Sequence, residues 1–419
     1  MLANRKKTVS GLRVFALVMT VVLMLSGAAG LKLNEQAVNA AERYISHDVK
    51  GLMKAPEGLR AHYSYAVMDA HSGKLLMGEN PDDIVYPAST TKLMTAMTII
   101  DNADLSEVVT VTDSMLAYAP YDLYKYGMKA GEKYTIDTLL NMLLIESSGD
   151  AAICAGIGAC GSMKAFLAAM NEKCEQLGLV YTRFDNPAGL DIGNDFFDNY
   201  TTAYEMAVIT RYAMSYPEIR KIVAKSKYRV YQADGTKGKK IVSSNLFYGS
   251  VSYPKELYKI IGSKTGSTRA AGHVFSATAT DTAGHEIICV YMGKGPMKET
   301  FEDIEKLLTK TFKAIKDGTV KAANKSLAIS LPETEYSFKD SYGKKFSLKA
   351  ELIDKSSKIN VSDSRLFKIS YSSSDSKVAY VDVNGTVTVK NPGTAVITVK
   401  FGGNAYYKSC SKKVTVTVA

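Results

Sequence analysis

Cysteine is scarce. The chain has 419 residues and five cysteines, Cys154, Cys160, Cys174, Cys289 and Cys410. That is too few, too scattered and odd in number for the disulfide framework that holds small secreted domains together. Cys154 and Cys160 are near enough in sequence to pair, but their neighbours are Ala and Gly in a helical stretch, which reads as buried free thiols. Zinc-ligand spacing is missing as well. His285-Glu286-Ile287-Ile288-Cys289 lacks the second histidine of a metalloprotease helix, and its neighbours Val290 and Tyr291 suit a strand. No zinc site is therefore expected.

Long apolar runs are equally rare. Val14–Leu25 is the one membranous candidate, and it is short for a span. Basic residues precede it, small residues Ser26 to Gly30 follow it, and no cysteine stands after it, which argues against a lipoprotein. Residues 1–40 read as a secretory signal with small-residue cleavage positions at Ala29 or Ala40, or as an uncleaved signal anchor. The expected location is extracytoplasmic, either secreted or at the outer face of the cell membrane or wall.

Positive charge is absent where a nucleic-acid enzyme would need it. The net charge is +10, but residues 1–13 carry +4 and residues 325–419 carry +7, leaving the catalytic-sized middle near −1. An enzyme working on nucleic acid lines its groove with that charge, so nucleic acid is not an expected partner. With 46% hydrophobic and 22% charged residues, the chain is neither disordered nor collagenous nor a coiled coil.

What is present divides into two folded parts. Tyr63–Asp69 and Leu75–Gly78 read as strands around His71-Ser72-Gly73-Lys74, a hairpin. Ser89–Ile100 follows Pro87 and is apolar nearly all round, which predicts a buried helix. Thr138–Ile145 and Met163–Leu177 read as further helices, and strands are expected around Tyr258–Ile261 and Val274–Met292. A closing helix near Glu299–Ile315 repeats Phe301, Ile304, Leu307, Leu308, Phe312 and Ile315 at helical spacing. Strands early and late with helices between predict an α+β domain over residues 41–320, helices on a mainly antiparallel sheet.

Beyond Asp317-Gly318 the composition turns to Ser, Thr, Val, Lys and Gly in short alternating runs, which predicts an all-β module over 325–419. Asn384-Gly385 is a strong hairpin signal. A strict two-residue loop there would set Val381 against Thr388 and split the valines between faces, so a bulge or longer loop is expected.

Three short motifs carry the chemistry. Ser-x-x-Lys occurs five times, starting at Ser89, Ser252, Ser341, Ser374 and Ser409, so the pattern alone says little. Only Ser89 and Lys92 stand one turn apart at the start of a buried helix, where their side chains share a face. Serine is a poor nucleophile until a base takes its proton, and a lysine enclosed by Leu93 and Met97 can have its pKa lowered enough to serve. Lys264-Thr265-Gly266 occurs once, on an apolar strand leading to a glycine-bearing edge. There a cation and a hydroxyl can hold a carboxylate, and Gly266 lets an extended substrate backbone approach. Between them lies Ser147-Ser148-Gly149-Asp150, whose first serine is placed to relay a proton.

Together with Pro87-Ala88, Asp150-Ala151-Ala152, Asn186-Pro187-Ala188-Gly189-Leu190, Thr202-Ala203 and Asn245-Leu246, these motifs resemble, in order and spacing, the low-molecular-weight penicillin-binding D-alanyl-D-alanine carboxypeptidases, serine peptidases of family S11 with the β-lactamase/DD-peptidase-like fold. The resemblance runs from about Tyr63 to Lys316. It implies Ser89 as acyl-enzyme nucleophile, Lys92 as general base and Ser147 as the second-motif serine. Lys264, Thr265, Gly266 and Ser267 would bind substrate, with the N–H groups of Ser89 and Ser267 as oxyanion hole. Peptidoglycan stem peptides are the implied substrate and β-lactam antibiotics the implied covalent inhibitors, and the implied acyl transfer to water needs no metal or cofactor. Residues 365–419, through Ser372-Ser373-Ser374-Asp375, Asn384-Gly385 and Pro392-Gly393, are similar to bacterial immunoglobulin-like group 2 domains, which implies an Ig-like sandwich after the catalytic domain. This basic module either holds anionic wall polymers or acts as a spacer.

One position departs from the family. Its second motif is usually Ser-x-Asn, and Gly149 stands at the Asn place; losing one positioned hydrogen bond there would lower the rate roughly 10²-fold or more. Two alternatives follow. A class A β-lactamase would share Ser89, Lys92 and Lys264 but needs a loop glutamate, and no matching Glu-x-x-x-Asn segment lies between Gly149 and Lys264. A noncatalytic wall-binding protein with a degenerate site is the other.

Overall fold

A computed structural model describes residues 47–60, 62–191, 199–320, 325–339, 341–355, 369–403 and 407–419. The basic and apolar N-terminal segment and both cleavage positions lie outside the described residues.

The expected hairpin is strands β1 (His62–Asp69) and β2 (Leu75–Glu79), turned at Gly73 with φ +72°. The late strands are three: β3 (Lys259–Thr268), β4 (Gly272–Thr280) and β5 (Glu286–Gly293). All five form one antiparallel sheet in the order β2-β1-β5-β4-β3, with first and last strands adjacent through Tyr65 opposite Tyr291. His285-Glu286-Ile287-Ile288-Cys289 thus opens β5, as its neighbours predicted.

Alternation across the strands builds two cores. In β5, Ile287, Cys289 and Tyr291 face one side with Tyr65 and Val67, while Ile288, Val290 and Met292 face the other with Ala66 and Met68. The first side is covered by the closing helix (Met297–Lys316), whose Phe301, Ile304, Leu307, Leu308, Phe312 and Ile315 are all buried there. Phe301 meets Phe275 with ring centroids 4.3 Å apart, and Phe312 stacks on Tyr258 at 4.9 Å. The second side faces a helical layer of α1 (Lys92–Asn102), α2 (Ile136–Ile145), α3 (Gly149–Cys160), α4 (Met163–Gln176) and α5 (Ala203–Ala213), in which α5 packs directly on β1 and β5, α1 packs on α5, and the others pack on α1 and on one another. In α1 every residue from Lys92 to Ile100 is buried, which explains its lack of a polar face.

The α-helix begins at Lys92, three residues later than the sequence suggests, because Ala88–Thr91 form a 3₁₀ turn. Ala88 has φ +46°, a conformation that no α-helix admits. All five cysteines are free thiols, Cys154, Cys174 and Cys289 buried.

From Lys325 onward the described elements are strands alone. Gly393–Phe401 pairs with Cys410–Val418, flanked by Ile369–Ser373 and by Glu335–Phe338, which runs parallel. Ala379–Val381, Thr386–Val389 and Lys345–Ser347 form a second sheet. Ala395, Ile397, Val399, Val414 and Val416 share a core with Ala379, Val387 and Val389. Val381 opposes Val387, not Thr388, so the Asn384-Gly385 loop is one residue longer than the tightest hairpin. The valines stay on one face, while Val383 at the tip is 87% exposed.

Candidate active site

Four separate segments converge at one end of β3. The 3₁₀ turn presents Ser89, half-buried, and in a 3₁₀ turn residues i and i+3 eclipse, so Ser89 points along the same line as Lys92. Lys92 Nζ lies 2.8 Å from Ser89 Oγ and donates to the Ala188 carbonyl at 2.7 Å; Ser89 Oγ also reaches that carbonyl at 3.3 Å. Asn186 makes that carbonyl available: its Oδ1 accepts from the N–H groups of Ala188, Gly189 and Leu190 at 3.1, 2.7 and 3.0 Å, curling the loop so that Ala188 O faces inward. Asn199 Nδ2 ties this loop to Thr91 Oγ1 and the Asn186 carbonyl. Asn186-Pro187-Ala188-Gly189-Leu190 was legible as a motif, but its contribution is a backbone oxygen, which no residue type announces.

Lys92 and Lys264 are both buried. Burial holds the Lys92 amine well below the ordinary lysine value, the Lys264 charge lowers it further, and Asp150 partly offsets this. Burial brings Lys264 down to about 7. Lys264 Nζ donates to Ser147 Oγ at 2.9 Å and to the Thr265 carbonyl at 2.8 Å. Thr265 Oγ1 is hydrogen-bonded to Ser244, a partner that sequence reasoning missed.

Backbone strain concentrates beside Ser89 and at Ser147. Ala88 immediately before Ser89 has φ +46° and Ser147 has φ +74°, left-handed conformations that cost non-glycine residues about 1–3 kcal/mol each. Gly266 is close-packed from within the protein itself. A Cβ there would lie 2.6 Å from Val274 Cγ2, 2.8 Å from Ser89 N and 2.9 Å from Ala88 Cβ, so both the turn that carries Ser89 and strand β4 come close. Gly189 packs from the other side: with φ +82°, its Cβ would fall 1.8 Å from the Ala88 carbonyl oxygen. Two glycines thus grip the turn that carries Ser89.

The cleft has two lobes, of about 700 and 540 Å³, that share Ser89, Tyr124, Ser147 and Ser267. Lys92, Leu123, Ala188 and Leu190 line the first; Glu146, Ser244, Thr265 and Gly266 line the second. Ser89, Lys92, Ser147, Lys264, Thr265, Gly266 and Ser267 are therefore all gathered at one place. Sequence reasoning missed the segment 120–128, which carries Leu123 and Tyr124 and is clamped by Asp150: Tyr126 N, Gly127 N and Met128 N donate to its carboxylate at 3.0, 2.9 and 3.1 Å. Ser148 Oγ donates to the same carboxylate at 2.5 Å.

Residues 53–295 match the D-alanyl-D-alanine carboxypeptidase family, Peptidase S11. The chain belongs to this family. Among its relatives are the D-alanyl-D-alanine carboxypeptidases DacA of Haemophilus influenzae, 29% identical over 61% of this chain and 64% of its own length, and DacF of Bacillus subtilis, 27% identical over 63% and 66%. The chain thus spans just under two thirds of these two relatives. DacB2 of Mycobacterium tuberculosis is 30% identical over 58% of this chain and 78% of its own. Among solved structures, a D-alanyl-D-alanine carboxypeptidase from M. tuberculosis superposes with TM-score 0.55 at 28% identity, covering 64% of this chain and 96% of that one. The Streptomyces K15 DD-transpeptidase superposes with TM-score 0.56 at 26% identity, covering 62% and 100%. The family fold is the antiparallel sheet and helical layer described above. Residues 368–403 match an intimin immunoglobulin-like domain, within the β module.

Proposed function

We propose that this protein is a serine-type D-alanyl-D-alanine carboxypeptidase that removes the terminal D-Ala from peptidoglycan stem peptides. The observation that carries this reading is the buried Lys92 amine 2.8 Å from the Ser89 hydroxyl. An amine whose pKa is lowered by burial is neutral in part at working pH, and its lone pair can take the hydroxyl proton across that distance.

The reaction runs in two halves. Ser89 Oγ attacks the penultimate D-Ala carbonyl while its proton passes to Lys92, and the carbonyl electrons move onto an oxyanion facing the N–H groups of Ser89 and Ser267. On collapse the C–N bond breaks, and the leaving D-Ala amine takes the proton from Lys92 through Ser147, which lines the same lobe as Lys92 and accepts from Lys264 Nζ at 2.9 Å. Water then adds to the ester, Lys92 accepting its proton, and Ser89 leaves protonated. Lys264 and Thr265 hold the terminal carboxylate, the lysine as its cationic form. The same chemistry makes β-lactams covalent inhibitors, since their leaving nitrogen stays tethered.

The enzyme would act outside the cytoplasm, and the basic module at 325–419 would hold anionic wall polymers or space the catalytic domain from its anchor. Purified enzyme incubated with a pentapeptide ending in D-Ala-D-Ala should release free D-Ala, and Ser89→Ala should release none. Release unchanged by that substitution would refute the mechanism.

A further inference from the structure

The sequence reads Gly149 as a lost hydrogen bond. The structure shows what took its place. A Cβ at Gly149 would lie 2.3, 2.5 and 2.6 Å from three carbons of the Leu123 side chain, closer than any real contact. Leu123 has little room to withdraw. Gly149 N donates to the carbonyl of the adjacent Tyr124 at 2.8 Å, Leu123 N donates to Pro120 O, and Asp150 and Ser148 pin the N–H of Tyr126. Leu123 is 6% exposed, packs with Ile153, Met163 and Ala188, and lines the same lobe as Ser89, Lys92 and Ser147.

We infer that Leu123 is a specificity-determining residue, filling the position of the second-motif amide with an apolar wall that selects the acyl half of the substrate. The inference rests on Ser89 being the acyl-enzyme nucleophile. In the usual arrangement a side-chain amide at that position presents one donor and one acceptor to the substrate. Here the wall is formed by Leu123 with Ala188 and Leu190 and presents neither. An acyl group that places an alkyl or aromatic surface against it gains by burying that surface. One that places an amide or charge there leaves a polar group unpaired, the asymmetry that makes polar mismatch costlier than apolar mismatch. Gly149 and Leu123 are on this account one substitution made at two positions.

The test uses two penicillins that differ only in the acyl side chain, one bearing a phenylacetyl group and one bearing an added carboxylate, with second-order acylation rates read by intact mass on the full exported chain. The expected ratio favours the apolar drug at least tenfold, and Leu123→Asn brings it near one. Because Leu123→Asn removes apolar packing, the pair Gly149→Asn and Leu123→Ala/Gly149→Asn supplies a second arm. Gly149→Asn alone should lower both the thermal midpoint and the acylation rate, and adding Leu123→Ala should restore the midpoint while shifting the ratio toward the polar drug. A ratio unmoved by Leu123→Asn, or Gly149→Asn tolerated by itself with its ratio unchanged, would overturn the inference while leaving the nucleophile in place. No adduct on the unmutated chain would instead overturn the acyl-enzyme reading, and the selection argued here with it.

Discussion

Lys264 and Ser147 stand 117 positions apart in sequence, yet the lysine Nζ donates to the serine Oγ at 2.9 Å. This contact joins the sheet edge to the helical layer. It puts the group proposed to hold the carboxylate in register with the group proposed to pass the proton, so a substrate engaged at one is presented to the other.

Ser147→Ala removes that relay and leaves Ser89, Lys92 and Lys264 in place. Proton transfer by a positioned side chain contributes about 10²–10⁴-fold, so D-Ala release should fall by at least about 10²-fold. The residue is half-buried and its Oγ serves the site, so the thermal midpoint should hardly move. A rate within a few-fold of the unmutated enzyme would remove Ser147 from the mechanism.

The two lysines set opposite limbs of the pH profile. Lys92 accepts a proton only when neutral, so acylation rises with pH through its lowered pKa. Lys264 binds carboxylate only when charged, so acylation of carboxylate-bearing substrates falls as pH rises through about 7. The Lys264 charge itself depresses Lys92. Lys264→Gln should therefore abolish the alkaline limb and move the acid limb to higher pH, as measured by acylation rate against pH. An acid limb that moves down would contradict the coupling.

Gly189→Ala tests the grip on the nucleophile's turn. The new methyl falls 1.8 Å from the Ala88 carbonyl, at a φ that alanine rarely adopts. Strain of this kind costs about 2–4 kcal/mol, visible as a lower thermal midpoint, and Ser89 should be misplaced enough to lose acylation about 10²-fold. Gly235→Ala has a similar φ, +88°, but open space around it and no contact with the site; it should lose stability without the same loss of acylation.

Asp150→Ala should loosen the segment 120–128. Its carboxylate accepts four backbone N–H groups and the Ser148 hydroxyl. Stranding buried donors costs about 1–3 kcal/mol each where water cannot reach them, so a loss of about 3 kcal/mol in denaturant unfolding is expected, together with faster proteolysis around Tyr124. Stability within about 0.5 kcal/mol of the parent, the range of an inert surface change, would show that the clamp is not needed.

Legibility followed chemistry and period. The sheet and the closing helix could be read because Tyr65, Val67, Ile287 and Cys289 alternate, and because Phe301, Ile304, Leu308 and Phe312 keep helical spacing. Ser89, Lys92, Ser147 and Lys264 could be read because their residue types suit the proposed reaction at spacings a fold can bring together. The Ala188 carbonyl could not, because every residue has one. Nor could Leu123, since an apolar residue in a loop of tyrosines shows no period, and its partner Gly149 is visible only as something missing. Helix α3 carries apolar and small residues nearly all round, and helix α5 buries Glu205, Thr210 and Arg211 along with its apolar residues, which blurs the pattern that marks an amphipathic helix. At Gly266 the sequence shows that a close approach occurs and not that the Ser89 turn and Val274 are among what approaches.

The central claim is that Ser89, activated by the buried Lys92, forms a covalent acyl-enzyme. Intact mass of the purified protein after incubation with a penicillin, beside Ser89→Ala and Lys92→Ala, tests it directly. The account predicts an adduct of one drug mass on the unmutated chain that outlasts the incubation, none on Ser89→Ala, and acylation slowed at least about 10²-fold on Lys92→Ala. An adduct on Ser89→Ala, or no adduct on any of the three, would contradict it.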